Sequence, residues 1–244
     1  MRLTRNVLLL ALVMLAGLAW ARSDEAQQVK EKALDAAHNV KVKVRMEGPY
    51  TADVPLQIVC YFKYTPEGAK RMSGAPVELD KRLGGVIASL RERGEFEGDQ
   101  LETILITPPQ DSIKAKALLL VGLGDEDALS LKLLEGVGRV ALREAARLGV
   151  SRVAFAPLIR DQGNTKFGTG DVETAVVRGM LLAYDTEKRL QKQELGKSFT
   201  LEEWWVEAGP AFFDETVAGV KKASAEATDL IKARESKPYA SEKR

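Results

Sequence analysis

The sequence predicts an α/β fold, a three-layer sandwich in which a mixed, mostly parallel sheet is flanked by helices. Two observations predict it. Strand-length apolar segments alternate with amphipathic, helix-length segments, and several of the short segments are apolar at consecutive positions. Strands of that kind are covered on both faces, which is typical of parallel sheets under helices.

The predicted strands are of two types. Valines alternate with charged residues over 40–45, which indicates a strand with one solvated face. Residues 199–206 also favour a strand, although Thr200 and Glu203 match the capping box of a helix. The remaining strands are predicted from apolar runs at 56–62 (LQIVCYF), 103–107 (TILIT), 117–121 (ALLLV) and 150–157 (VSRVAFAP).

The predicted helices have apolar residues at helical spacing. They cover 79–93, 130–148, 171–191 and 211–233. Ser130 is placed as a helix N-cap, and Gly94 and Gly149 lie just past helix ends, where glycine is favoured. The polar segment 26–37 is interpreted as a short helix or a linker.

The first residues predict export. Arg2 and Arg5 precede an apolar run of 12 residues at 7–18, and the small-x-small sequence Ala-Trp-Ala follows at 19–21. A membrane-spanning helix needs about 20 apolar residues. Residues 1–21 are therefore expected to be a cleaved signal peptide, with an uncleaved anchor as the alternative. The expected location is the periplasm or the outside of a bacterial cell.

No Pro/Gly-rich linker divides the rest of the chain. The expected organisation is an N-terminal linker or helix over 22–37, one domain over 38–235 and a flexible tail over 236–244. The tail is polar and contains Pro238.

Composition excludes several functional classes. Lys and Arg number 36 against 35 Asp and Glu, so the sequence predicts neither nucleic-acid binding nor, after signal cleavage, membrane binding. One cysteine and one histidine exclude a disulfide framework and the usual zinc patterns. We expect His38 to be a solvated side chain and Cys60 to be a buried small hydrophobe.

Five segments resemble a known family. They are 79–85 (LDKRLGG), 94–98 (GEFEG), 102–106 (ETILI), 115–124 (AKALLLVGLG) and 175–184 (AVVRGMLLAY). In this order they resemble the N-terminal domain of the leucyl aminopeptidase family, over roughly residues 55–190. Arg178 and Ala183 depart from the Glu and Gly that are usual in the family.

The resemblance implies a fold similar to the macro domain. It also implies that catalysis, in the family, resides in a second domain that binds two metal ions through Lys, Asp and Glu. No position of this sequence matches those ligands, so no catalytic residue, metal ligand or cofactor is carried over. The acidic residues are expected to be dispersed along solvated helix faces. Family oligomer contacts lie mostly in the catalytic domain, so a monomer or small oligomer is expected.

One loop is a candidate ligand site, because it joins the carboxyl end of a strand to a helix start. Its candidate residues are Gly163, Asn164, Lys166, Thr169 and Gly170. Backbone N–H groups there could bind an anion, with Lys166 adding charge. Asp171 in the first helical turn argues against this, and a plain surface loop is the favoured alternative. Gly122 and Gly124 are interpreted as a tight turn.

Two adjacent tryptophans give a further choice. Neighbouring strand residues face opposite ways, so one of Trp204 and Trp205 could be exposed beside Phe212 and Phe213 as a protein-binding patch. Core packing under the last helix is favoured over that patch.

The function expected from the sequence is that of an exported, non-catalytic binding or structural protein. Its partner would be another protein or a separately encoded catalytic chain. The alternatives are a macro-like domain that binds ADP-ribose or a nucleotide, and residual metallo-aminopeptidase activity.

Overall fold

A computed structural model describes residues 29–234, and within this range seven strands form one sheet. The strands are β1 (Glu31–Asp35), β2 (Lys41–Arg45), β3 (Leu56–Tyr61), β4 (Thr103–Ile106), β5 (Ala117–Gly122), β6 (Arg152–Ala156) and β7 (Glu203–Glu207). Their order across the sheet is β1-β2-β7-β6-β3-β5-β4. The five inner strands are parallel, and the edge strands β1 and β4 are antiparallel to their neighbours. The predicted mixed, mostly parallel sheet is confirmed.

The helices cover both faces of the sheet. They are α1 (Pro66–Arg71), α2 (Ala75–Arg82), α3 (Val86–Glu92), α4 (Leu131–Leu148), α5 (Thr169–Lys192) and α6 (Phe213–Ala233). Short 3-10 turns lie at Ala37–Asn39, Glu126–Ala128, Arg160–Gln162 and Pro210–Phe212. Helices α4, α5 and α6 contribute to the larger core, and α2 and α3 cover the opposite face. The three-layer architecture is therefore as predicted.

Strand β3 shows how the two cores are separated. Ile58 and Cys60 belong to the larger core, whereas Val59 and Tyr61 belong to the smaller one. Alternate strand residues face opposite sides of a sheet, and all six residues of β3 are buried. The continuous apolar run 56–62 is thus explained by a strand that is covered on both faces.

Helix α5 is buried between α4 and α6, and small residues allow this. A Cβ at Gly138 would overlap the carbonyl oxygen of Val176, and a Cβ at Gly179 would overlap that of Glu135. The backbones of α4 and α5 are therefore in direct contact. The predicted caps of α4 are confirmed, since Ser130 accepts a hydrogen bond from the Leu133 N–H and Gly149 is left-handed with φ 69°.

Three elements differ from the sequence prediction. Within 22–37, predicted as a linker or helix, residues 31–35 form strand β1, because pairing with β2 supplies backbone hydrogen bonds that local propensity does not register. The predicted helix 79–93 is two helices, because Gly84 and Gly85 are left-handed with φ 71° and 82°. Strand β4 is a partly exposed edge strand, with Leu105 39% exposed, instead of a strand covered on both faces.

The ambiguous segment 199–206 contains strand β7, which begins at Glu203, so the strand interpretation is confirmed over the capping-box helix. The signal-peptide prediction for 1–21 and the tail prediction for 236–244 lie outside the described residues. Within 29–234, no helix combines the length and the apolar composition that crossing a bilayer would need.

Candidate functional site

A cavity of about 330 Å³ lies at the carboxyl ends of three neighbouring parallel strands. Glu47 follows β2, Glu207 is the last residue of β7, and Ala156 is the last residue of β6. The first turns of α5 contribute Thr169 and Glu173. Because these strands run parallel, their carboxyl ends meet at one edge, where α/β folds commonly bind ligands.

The lining of the cavity combines an apolar wall with acidic groups. The apolar lining residues are Ala75, Ala156, Pro157, Leu158, Ile159, Phe167, Val172, Ala208 and Phe212. The acidic lining residues are Glu47, Asp161, Glu173 and Glu207. An apolar cavity of this size with a few convergent polar groups is the usual form of a small-molecule site.

Glu173 is the most unusual of these residues. Its side chain is fully buried, and neither carboxylate oxygen has a hydrogen-bond partner among the described residues. Burial penalises the charged form and raises the pKa of Glu173 to about 8. At neutral pH this side chain is therefore mainly an uncharged carboxylic acid.

The pKa values of the Glu207 and Glu47 carboxyl groups are also raised. Burial raises the pKa of Glu207, repulsion from Glu47 adds to the rise, and the Gln57 amide opposes it. Burial also raises the pKa of Glu47 against the opposing charge of Arg45, whose Nε lies 2.6 Å from Glu47 Oε1. Glu47 and Glu173 thus both oppose the ionisation of Glu207, whereas the pKa of Glu173 itself is raised by burial.

The remaining charged groups of the cavity have partners within the protein. Burial raises the pKa of Asp161, while a hydrogen bond from the Ala75 backbone N–H lowers it. The Arg160 guanidinium lies over the Phe212 ring, 4.6 Å from its centroid. The cavity therefore has several carboxyl groups close together in apolar surroundings.

The loop predicted as a ligand site lies beside this cavity. Lys166 Nζ donates to the Asp127 carbonyl (3.0 Å), and Asn164 Nδ2 donates to the Glu126 carbonyl (3.4 Å). Gly170 N–H donates to Glu215 (2.9 Å), so a carboxylate already occupies this helix N-terminus.

Of the five predicted loop residues, the cavity lining includes Thr169, whose buried hydroxyl has no hydrogen-bond partner within the described chain. Gly163 is left-handed, with φ 90°, at the end of a 3-10 turn. Ligand binding by the loop itself stays a prediction.

His38 is exposed, as the sequence predicted, but it also has a buried partner. Its Nε2 lies 2.9 Å from Oδ1 of Asp185, and Tyr184 packs edge-on against its ring. Asp185 is only 2% exposed and also accepts hydrogen bonds from Arg189 (2.8 Å) and Arg234 (2.6 Å). The sequence did not predict this contact, because Asp185 lies 147 residues away. This cluster does not line the cavity.

Other side chains behave as core residues. Cys60 is buried, as predicted, and burial raises the pKa of its thiol, so it is not a thiolate nucleophile. Trp204 and Trp205 are both buried, which confirms core packing and excludes the exposed-tryptophan patch. Arg45 covers the Trp205 ring, with Cζ 3.9 Å from its centroid.

The sequence prediction of dispersed, solvated acidic residues is wrong for the cavity. Two signals were present in the sequence. Glu173 interrupts the apolar face of a helix (VETAVV), and Glu207 directly follows the apolar run WWV. Within the described range, no group of three or more His, Cys, Asp or Glu side chains is arranged to hold a metal ion.

Sequence comparison identifies similarity to one family. Residues 58–193 match the N-terminal domain of the cytosol aminopeptidase family. A probable cytosol aminopeptidase of Gloeothece citriformis is 29% identical over 136 residues, which are 56% of this chain and 26% of that protein. One from Pseudomonas syringae pv. tomato is 36% identical over 83 residues, which are 34% and 16% of the two chains. The chain thus spans about a quarter or less of the length of these relatives.

Solved structures give the same picture of the fold. A mutant of tomato leucine aminopeptidase superposes with a TM-score of 0.61 at 17% identity, covering 85% of this chain and 40% of that one. An Oceanobacillus iheyensis macrodomain with ADP superposes with a TM-score of 0.56 at 10% identity, covering 82% of this chain and 100% of that one. At these identities the likeness shows the fold alone.

Proposed function

We propose that this chain, which belongs to the cytosol aminopeptidase family through a match to the family's N-terminal domain, is an exported, non-catalytic binding protein. In this proposal, its cavity holds a small molecule. The observation that carries the proposal is the cavity itself, at the carboxyl ends of β2, β7 and β6. An unpartnered, fully buried Glu173 beside an apolar space is costly for a fold unless the group has another role.

The groups that could act as catalysts support a binding role. The single imidazole, His38, is bonded to Asp185 and does not line the cavity. The Cys60 thiol is buried and its pKa is raised. A thiol nucleophile normally needs a lowered pKa, which the Cys60 thiol lacks.

The cavity favours a small ligand over a protein partner. The large apolar side chains that are exposed within residues 29–234 are scattered over several elements: Val77, Val86, Leu105, Leu195 and Leu230. Single exposed apolar residues are normal at protein surfaces. These residues alone do not point to a protein partner or a separate catalytic chain, whereas the cavity points to a small ligand.

An ADP-ribose-like ligand is also disfavoured, although a macrodomain with ADP shares the fold. Glu47, Glu173 and Glu207 would face the pyrophosphate with carboxyl groups, and Gly170 N–H is bonded to Glu215. Any of these carboxyl groups that ionises would repel the pyrophosphate, and those that stay protonated offer it no positive charge.

Two measurements on purified protein test this function. The first is hydrolysis of leucyl-p-nitroanilide with added manganese or zinc, for which we expect no metal-dependent turnover. The second is a ligand-observed NMR screen with small molecules of all charges, repeated on Ala208→Leu, which narrows the cavity. We expect hits that bind the native chain and not the variant. Turnover that persists after repurification, or hits insensitive to Ala208→Leu, would overturn the proposal.

A further inference from the structure

The polar groups of the cavity are mostly of one kind. Four of its lining residues are acidic, and within the described chain Arg160 is the one basic residue that lines it. The Arg160 guanidinium is stacked on Phe212, and nearby Arg45 is paired with Glu47. The excess of carboxyl groups is therefore not neutralised by the protein's own cations.

Glu173 adds an independent observation. Both of its oxygens are buried and lack partners within the described residues, and it lines the same cavity. Glu207 lies close enough for repulsion between the two carboxylates to affect its ionisation. A hydrogen-bond donor that carries positive charge would satisfy these oxygens and remove that repulsion.

The apolar wall limits what kind of cation fits. A hard metal ion takes six or more oxygen ligands, including waters, in a small shell. This cavity instead offers about 330 Å³ lined by Ile159, Phe167, Phe212 and other apolar residues. Such a wall matches a hydrocarbon group that is attached to the cation.

Building on the proposed function, we propose that the cavity binds an organic ammonium ion that carries a small apolar substituent. The ammonium N–H groups would donate to Glu173 and Glu207. The substituent would pack against Phe167 and Phe212.

Isothermal titration with matched probes tests this inference. The probes are phenethylammonium and isopentylammonium, with the neutral 2-phenylethanol and the anionic 3-phenylpropionate as isosteres of the first. We expect both ammonium ions to bind about tenfold or more tightly than the alcohol, and the anion not to bind. Magnesium chloride tests a simple divalent cation and is expected to give no heat.

Variants then locate the site. Glu173→Gln keeps the shape and removes the carboxyl group that the bound ammonium ion would ionise and pair with, so ammonium affinity should fall about tenfold or more. Glu207→Gln is a second variant with the same expectation. Glu144→Gln is the matched control, because Glu144 pairs with Arg147 on α4 and does not line the cavity.

The outcomes separate this inference from the proposed function. Tighter binding of the alcohol or the anion, or unchanged ammonium affinity in both Glu→Gln variants, would overturn the ammonium inference and leave a cavity ligand in place. Binding of magnesium in preference to the ammonium probes would also overturn it. If no small molecule of any charge binds in the cavity, both proposals fail.

Discussion

Arg45 and Glu207 are directly paired across the parallel ladder of β2 and β7, yet the Arg45 guanidinium contacts Glu47 at 2.6 Å and the Trp205 ring at 3.9 Å. Arg45 is thus committed to two carboxylates, those of Glu47 and Glu31, and to one aromatic ring. Glu207 keeps a raised pKa beside it. The cavity is acidic in character because Arg45 pairs with Glu47 and leaves Glu207 without an ion-pair partner among the described residues.

The first prediction concerns stability and pH. In the folded chain the pKa of Glu173 is about 8, against an ordinary value of 4.5. The folded state therefore holds an extra proton between these values. The contribution of protonated Glu173 to the free energy of unfolding is fully present below pH 4.5 and is lost as the pH rises through about 8. At its steepest, this loss is about 1.4 kcal/mol per pH unit.

Glu173→Gln should remove this dependence. We expect the variant to match the native chain near pH 5 and to exceed it in free energy of unfolding at pH 9, as measured by urea denaturation. Glu173 interacts electrostatically with Cys60 and Glu207, and Glu47, Arg160 and Asp161 line the same cavity. All of these groups remain in both proteins, so the difference reports Glu173 together with its effect on the ionisation of Cys60 and Glu207. Identical pH profiles for the two proteins would contradict a buried neutral acid.

The second prediction concerns proton release. An ammonium ion that binds to Glu173 at pH 7 stabilises its carboxylate, so a proton leaves the side chain. The measured binding enthalpy should therefore differ between phosphate and Tris buffers, in proportion to their ionisation enthalpies. Binding to Glu173→Gln should show a smaller buffer dependence. Equal enthalpies in both buffers for the native chain would show that no carboxyl group changes ionisation.

The third prediction concerns helix packing. Gly179→Ala places a methyl group on the Glu135 carbonyl oxygen, so α5 must move away from α4. We expect a loss of about 1–3 kcal/mol in thermal or urea unfolding. Gly136→Ala is the control on α4, because its Cβ would meet Leu101 Cδ1 at an ordinary 3.6 Å. That change should be neutral or stabilising, by up to about 1 kcal/mol.

The fourth prediction concerns the cluster around Asp185. Burial opposes ionisation of this carboxyl, but hydrogen bonds from Arg189, Arg234 and His38 outweigh it and lower its pKa. Its contribution to stability is present above the ordinary pKa of 3.8 and is lost as the pH falls through the lower folded value.

Asp185→Ala should cost about 2 kcal/mol at pH 7, because three donors lose a shared acceptor. Asp35→Ala removes an exposed partner of Lys41 and should change stability by less than about 1 kcal/mol. Both are measured by urea denaturation. Equal costs would mean that the Asp185 cluster contributes no more than a surface ion pair.

The fifth prediction concerns export. Expressed with its full sequence in a bacterial host, the chain should be recovered from the periplasm and begin at Arg22, after the Ala-Trp-Ala sequence at 19–21. Intact-mass measurement of the recovered protein gives the start point. Replacing Ala21 with a bulky residue such as Phe should block cleavage there. A full-length protein in the cytoplasmic fraction would contradict export.

The sequence predicted the layers of the fold, because the apolar runs at 56–62 and 117–121 require cover on both faces. It also located the caps at Ser130 and Gly149, since capping depends on local residues. It missed β1, whose hydrogen bonds come from tertiary pairing with β2.

The cavity was harder to predict for the same reason. The cavity brings together Glu47, Glu173 and Glu207, of which the first and the last are more than a hundred residues apart in sequence. They meet only because three strand ends and the start of a helix converge there. Glu173 is buried near Cys60 of β3 and Glu207 of β7, and helical periodicity alone does not reveal which strand residues a helix position meets.

The segment shared with the family ends at residue 193 and begins at residue 58, so it contains Glu173 but neither Glu47 nor Glu207. Two of the three carboxyl groups therefore lie outside the segment that matches the family in sequence. Relatives that match this chain over residues 58–193 are therefore not expected to have the same carboxyl groups in the cavity. Residues before 58 and after 193 would then set which ligand the cavity accepts, while the shared fold is kept.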